Sequence, residues 1–309
     1  MPKTSPVLTL SIAQNRSATL KGLVAVLLWS TTVGLIRSIS ELLGPIGGAA
    51  MIFSVGGILA ALALGVPRPA SFNRIYLFVG GALFITYEIF LALSLGLATN
   101  RTQVLELGML NYMWPCLTIV LAVMLKQQKA NWAMFPGALL SFLGLVWVMK
   151  GDGDWSPAAL LANLQNNPLA YGLAATAAIL WAAYSVLTKR FGEGKSGVPL
   201  FLLGTALILW LLYAISPEPA LRFTFSGVAQ VVVMGAFMAT AYSAWNYGIQ
   251  KGNLTLLAVA SYFTPVLSIL LASVWLSTAP SASFWQGVAM VSIGSVVCWW
   301  STRAHSRHA

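Results

Sequence analysis

Ten apolar runs decide what this chain can fold into. They cover roughly residues 20–37, 46–65, 75–98, 103–125, 133–150, 169–188, 198–215, 227–249, 253–277 and 284–301. A helix needs about 20 such residues to cross the hydrocarbon of a bilayer. The gaps between runs hold helix breakers, such as Gly44-Pro45, Pro67-Arg68-Pro69, Pro217-Glu218-Pro219 and Ala279-Pro280-Ser281. Only 8% of the residues are charged, where a soluble domain carries about 25%. The sequence therefore predicts an all-α integral membrane protein of ten transmembrane helices, with loops too short to hold a soluble domain.

Charge orients these helices. On alternate-side counting, thirteen of the seventeen Lys and Arg fall on the side that holds both termini. Arg37, Arg101, Lys150 and Arg222 fall on the other. Positive charge is retained inside, so both termini are expected in the cytoplasm. The net charge of +10 is thus explained by membrane orientation and does not call for nucleic acid. Residues 1–19 read as a polar tail without the apolar core of a cleavable signal, and residues 302–309 as a second tail.

An internal repeat divides the rest. Asn111-Tyr112-Met113-Trp114-Pro115, in the middle of an apolar run, aligns without gaps with Ser261-Tyr262-Phe263-Thr264-Pro265 at an offset of 150 residues. Gly137 and Gly144 match Gly287 and Gly294 at the same offset, and Arg101 matches Lys251. Leu28-Trp29 aligns with Leu180-Trp181 at 152. The predicted units are 20–150 and 169–301, five helices each, joined by 151–168, where Ser156 to Leu164 reads as a short interfacial helix. An odd helix number inverts the second unit in the membrane. Inverted repeats of this kind occur in secondary carriers, whose substrate site lies near the midplane between the units.

Polar groups inside the runs are the candidates for that site. Glu88, with Tyr87 beside it, is the acid deepest in an expected span; an ionised group there costs roughly 2.5–3.5 kcal/mol. Glu106 lies nearer a helix start, where an acid is favourable in any case. Asn111, Tyr112 and Trp114 precede Pro115, and Ser261 and Tyr262 precede Pro265. A proline frees a carbonyl one turn back and kinks its helix, so Pro115 and Pro265 are expected hinges. Trp181 and Tyr184 share one helix face, as do Tyr242, Trp245 and Asn246. Ser30 adjoins Trp29. Aromatic walls of this kind suit a substrate with a flat apolar part, although mid-span aromatic residues more often serve packing alone.

Several chemistries are excluded or weak. Gly151-Asp152-Gly153-Asp154 matches the GxGD of intramembrane aspartyl proteases, but no aspartate stands in another span to complete the pair. HExxH, GxSxG, CxxC and Walker patterns are missing, so neither a self-contained ATP-driven pump nor a metal or cofactor site is expected. His305 and His308 lie in the tail. Cys116 and Cys298 read as small apolar residues rather than a disulfide framework.

With ten spans, inverted five-helix halves and a Trp in the first helix of each half, the chain resembles the drug/metabolite transporter superfamily, specifically its EamA-type ten-helix members. The resemblance covers residues 20–301. Within that superfamily, Asn-Tyr-x-Trp-Pro at 111–115 resembles bacterial inner-membrane exporters of aromatic amino acids. It implies efflux of phenylalanine, tyrosine and tryptophan, and of flat xenobiotics such as methyl viologen. The expected partners are therefore these small molecules and the lipid bilayer. A proton-coupled multidrug exporter using Glu88 is the alternative. A membrane-embedded enzyme is a remote third reading, since convergent catalytic groups are missing.

Overall fold

The structure is a computed structural model that describes residues 6–127, 129–150, 157–193, 195–252, 257 and 260–303. Among these residues there are helices and no strands. The chain opens with α1 (Pro6–Ser30) and α2 (Thr32–Leu43), bent by 40° at Thr31. Helical backbone thus reaches back to Pro6, into the stretch expected as a tail. The single helix expected at 20–37 is two pieces that run on to Leu43. Neither Pro nor Gly marks this break. Hydroxyl groups do, because Ser30 donates to the Val26 carbonyl at 2.8 Å and Thr31 to the Leu28 carbonyl at 2.7 Å. Such back-bonding bends helices. Gly44, at φ 81°, closes α2 with its N–H on the Ser40 carbonyl, a conformation that glycine adopts without a Cβ penalty.

There follow α3 (Pro45–Leu64), a π-type turn at Tyr76–Gly80 that leads into α4 (Gly81–Gly96), α5 (Arg101–Asn111), α6 (Trp114–Met124) and α7 (Met134–Lys150). Then come α8 (Pro157–Asn166), α9 (Pro168–Phe191), α10 (Val198–Ile215), α11 (Phe225–Lys251), α12 (Thr264–Trp275) and α13 (Ala282–Arg303). The short helix α8 falls where the interfacial helix was expected. Ser156, Asp152 and Asp154 lie outside the described residues. Among the described residues, seven helical stretches are long and apolar enough to cross a membrane, with α5 and α6 together forming one of them, and the bent pair α1–α2 makes an eighth. Two shorter apolar helices remain, α7 and α12. This is a multi-pass helical membrane protein.

The α5–α6 break and the start of α12 share their backbone bonding. Met113 N–H donates to Leu110 O at 3.2 Å, and Phe263 N–H to Ala260 O at 3.0 Å. Leu117 N–H reaches Met113 O, and Leu267 N–H reaches Phe263 O, each at 3.0 Å. The far ends match as well. Gln127 N–H bonds Ala122 O at 2.9 Å around Lys126 (φ 56°), and Thr278 N–H bonds Ser273 O at 2.8 Å around Ser277 (φ 50°). Both are left-handed helix stops.

The broadest packing surfaces join α7 to α13, α3 to α10, α1 to α11 and α4 to α9. Small residues bring α7 and α13 together. A Cβ at Gly137 would lie 2.9 Å from Gly294 O, and one at Gly144 would lie 2.7 Å from Met290 Cβ and 2.8 Å from Gly287 O. Between them Ser141 Oγ donates to Val291 O at 3.2 Å. Backbone cannot yield as a flexible side chain can, so Gly144→Ala is expected to cost roughly 1–3 kcal/mol by overpacking. Gly172→Ala is the control, since its Cβ would meet nothing within 4 Å. Thermal unfolding of the purified protein checks this: equal midpoints for the two variants would contradict the tight seam.

Candidate functional site

Helix periodicity brings aromatic residues from distant parts of the chain to one interior. α4 supplies Phe84, Tyr87 and Glu88; α9 supplies Trp181 and Tyr184; α11 supplies Tyr242 and Trp245; α1 supplies Trp29; α10 supplies Phe201. Phe84 is fully buried, with its ring 5.3 Å from Tyr184, 5.4 Å from Tyr242, 5.6 Å from Phe201 and 6.0 Å from Trp181. Trp181 extends the cluster to Tyr87 at 4.5 Å and to Trp114 at 6.2 Å. Trp29 closes the other flank against Tyr242 at 5.4 Å and Trp245 at 5.2 Å. The planes are tilted or edge-on, as ring quadrupoles favour. These rings form one connected interior between α1, α4, α9, α10 and α11.

One carboxylate lies in this interior. Glu88 is 2% exposed and accepts a hydrogen bond from the Tyr242 hydroxyl. The Asn111 side chain neighbours the Tyr87 hydroxyl, and its buried Oδ1 has no hydrogen-bond partner. A buried polar atom without a partner calls for an explanation.

The other expected residues spread further. Tyr112 is buried between α5 and α6, with its hydroxyl beside Ser268 of α12. Trp114 is only partly buried, at the edge of the cluster. Pro115 and Pro265 are buried in the first turns of α6 and α12. Ser30 spends its hydroxyl on its own helix. Ser261 is buried at the break before α12. Tyr262 leaves the cluster altogether: its ring packs at a tilt against Trp299 at 6.2 Å, in a second core with Cys116 and Cys298. The Asn246 side chain lies outside the described part of α11. Glu106 accepts from the Tyr171 hydroxyl near the starts of α5 and α9, away from the ring cluster.

Sequence alone does not single out Trp29, Phe84 or Phe201. The alignment of Trp29 with Trp181 is a signal for the first. For Phe84 the signal is its place one turn before Glu88, on the same face.

Charged groups gather at one end of the bundle. Glu41 pairs with Arg37 at 2.9 Å and Arg101 at 2.7 Å. Arg101 also donates to Leu276 O at 2.9 Å, tying α5 to the end of α12. Arg37 donates to Ala98 O at 2.7 Å. Glu218 accepts from the Ile46 and Gly47 N–H groups that begin α3, at 2.8 and 3.0 Å.

Among the described residues no group of three His, Cys, Asp or Glu side chains could hold a metal. The site is an aromatic interior with one carboxylate and one unsatisfied amide, inside a multi-pass helical membrane protein. That arrangement sets aromatic faces, a carboxylate and an amide oxygen side by side. The chain belongs to the EamA-like transporter family, whose model matches residues 168–300. It is 47% identical to the aromatic amino acid exporter YddG of Salmonella typhimurium (strain 14028s / SGSC 2262), over 94% of this chain and 99% of that protein. It is 46% identical to the exporter of the same name from Escherichia coli (strain K12), over 93% and 98%. A solved crystal structure superposes with a TM-score of 0.67 at 30% identity, covering 94% of this chain and 99% of that one.

Proposed function

We propose that this chain is a secondary carrier that exports phenylalanine, tyrosine and tryptophan across the bacterial inner membrane by alternating access. The observation that carries the reading is the ring cluster around Phe84 and Trp181, with Glu88 inside it, in a chain this similar to two proteins named as aromatic amino acid exporters. The rings offer stacking to the substrate side chain. Glu88 and Asn111 offer acceptors to its ammonium group. Flat xenobiotics would use the rings without the acceptors.

The carrier has ten spans as two inverted five-helix repeats, residues 20–150 and 169–301, with both termini in the cytoplasm. The matched hydrogen bonds at residues 110–117 and 260–267 support the repeat. So does the meeting of Gly137 with Gly294 and of Gly144 with Gly287, since each contact becomes the other under an offset of 150. The charge distribution supports the orientation. Pro115 and Pro265 would serve as the bends about which α6 and α12 rock, and the crosslink through Arg101 would have to open on one side.

Vesicles reconstituted with the purified protein test the reading. Labelled phenylalanine and tryptophan are expected to be taken up at least about tenfold faster than leucine or lysine. Equal rates for leucine and phenylalanine would overturn the aromatic substrate class. Glu88 favours a second reading, a proton-coupled multidrug exporter, and the Glu88 variants described below distinguish the two.

A further inference from the structure

We infer that a cleft on the outer surface of the bundle, between α4, α6 and α9, is a binding site for an anionic phospholipid. Its volume is about 320 Å³. α9 is two-sided along its last turns. Trp181 and Tyr184 turn to the aromatic interior, whereas Ala183, Val186, Leu187 and Arg190 fall at helical spacing on the opposite face and line the cleft. Leu121 and Leu125 of α6 form the facing wall, and Leu83 of α4 the floor. Leu125 is 54% exposed, so the cleft opens at the surface of the bundle rather than into the ring cluster.

The cleft is amphipathic in one direction only. Its walls are aliphatic, and its polar end, at the ends of α6 and α9, carries the Gln127 amide, the Phe191 ring and a single charge, the Arg190 guanidinium. Arg190 is exposed, and no carboxylate lines the cleft. Among the described residues no ion pair engages Arg190; the acid nearest in sequence, Glu193, lies 3.8 Å from Lys195. The guanidinium stacks on Phe191 at 5.2 Å, which holds it over the mouth of the cleft. Hydrocarbon walls ending at an unneutralised guanidinium match an acyl chain ending at a phosphate. Arginine favours that phosphate because its planar fork donates in pairs. Basic pockets between membrane helices take anionic headgroups for this reason. A zwitterionic lipid would fill the walls equally well but would bring its own cation to Arg190.

Native mass spectrometry of the full-length protein in detergent tests the site, with phosphatidylglycerol and phosphatidylethanolamine of the same acyl chains added separately. The wild type is expected to retain phosphatidylglycerol over phosphatidylethanolamine. Arg190→Gln is expected to lower that retention about fivefold, the equivalent of roughly 1 kcal/mol for one basic contact. Ala183→Trp, which fills the cleft, is expected to lower retention of both lipids. Lys189→Gln, one residue away and outside the lining, is expected to change neither. Equal retention of the two lipids by the wild type, or wild-type retention by Arg190→Gln, would overturn the proposal. So would displacement of the lipid by millimolar phenylalanine, which would make the cleft part of the transport route. The readout needs no transport, so it stands or falls apart from the proposed function.

Discussion

Trp181→Ala is expected to lower the initial rate of phenylalanine transport at least about tenfold. Trp181 touches five rings: Tyr87 at 4.5 Å, Tyr184 at 5.2 Å, Phe84 at 6.0 Å, Trp114 at 6.2 Å and Tyr242 at 6.3 Å. Each aromatic pair contributes roughly 0.5–1.5 kcal/mol beyond burial, so this one side chain sets the positions of the others. Trp181 is partly buried, so its truncation costs less than the roughly 3–5 kcal/mol of a fully buried Trp, and the transport assay is made on protein shown to be folded. Trp181→Phe keeps a ring in place with less loss of volume. The expected order of rates is wild type, then Trp181→Phe, then Trp181→Ala, with a wider separation for phenylalanine than for leucine. A folded Trp181→Ala protein that carries phenylalanine at the wild-type rate would remove the ring cluster from substrate binding.

The second large effect is expected at Glu88. Glu88→Ala leaves the Tyr242 hydroxyl buried without its acceptor, at roughly 1–3 kcal/mol, and removes the carboxylate from the ring-lined interior. Transport is expected to fall at least about tenfold. Glu88→Gln keeps an oxygen for Tyr242 and is expected to fold like the wild type. Comparing vesicles with and without a pH gradient then separates two roles. If Glu88→Gln still binds substrate but no longer responds to the gradient, the carboxyl couples protons, as the multidrug reading requires. If it responds as the wild type does and only affinity falls, Glu88 is a recognition group. Unchanged transport in both Glu88 variants would take the residue out of either mechanism.

The break before Pro115 was legible because a proline and polar groups stand where hydrocarbon is expected, and because residues 261–265 carry the same pattern. The faces Trp181/Tyr184 and Tyr242/Trp245 were legible from spacing. Phe201 was not, and Phe84 only through its place one turn before Glu88, because a mid-span phenylalanine looks the same in sequence whether it faces lipid or other rings. The bend at Thr31 escaped because hydroxyl back-bonding in α1 takes the place of a proline. Tyr262 illustrates the limit of repeat reasoning. Its counterpart Tyr112 packs into the main core, yet Tyr262 meets Trp299. Backbone hydrogen bonds repeat, but the side chains around each copy differ. Trp114, which aligns with Thr264, stands at the margin of the ring cluster, and Trp181 and Phe84 hold its centre.

The seam between α7 and α13 has a consequence for how such a chain arose. Ser141 bonds the carbonyl of Val291, the residue that aligns with it at the offset of 150. The flanking glycine contacts exchange with one another under the same shift. On the proposed repeat, this surface is self-complementary, the defining property of a twofold interface between identical subunits. A half-length ancestral chain would then already have carried the contact needed to pair with a second copy of itself in the opposite orientation. Gene fusion would have preserved that pairing, and the unlike residues of the two halves could afterwards diverge around a fixed axle.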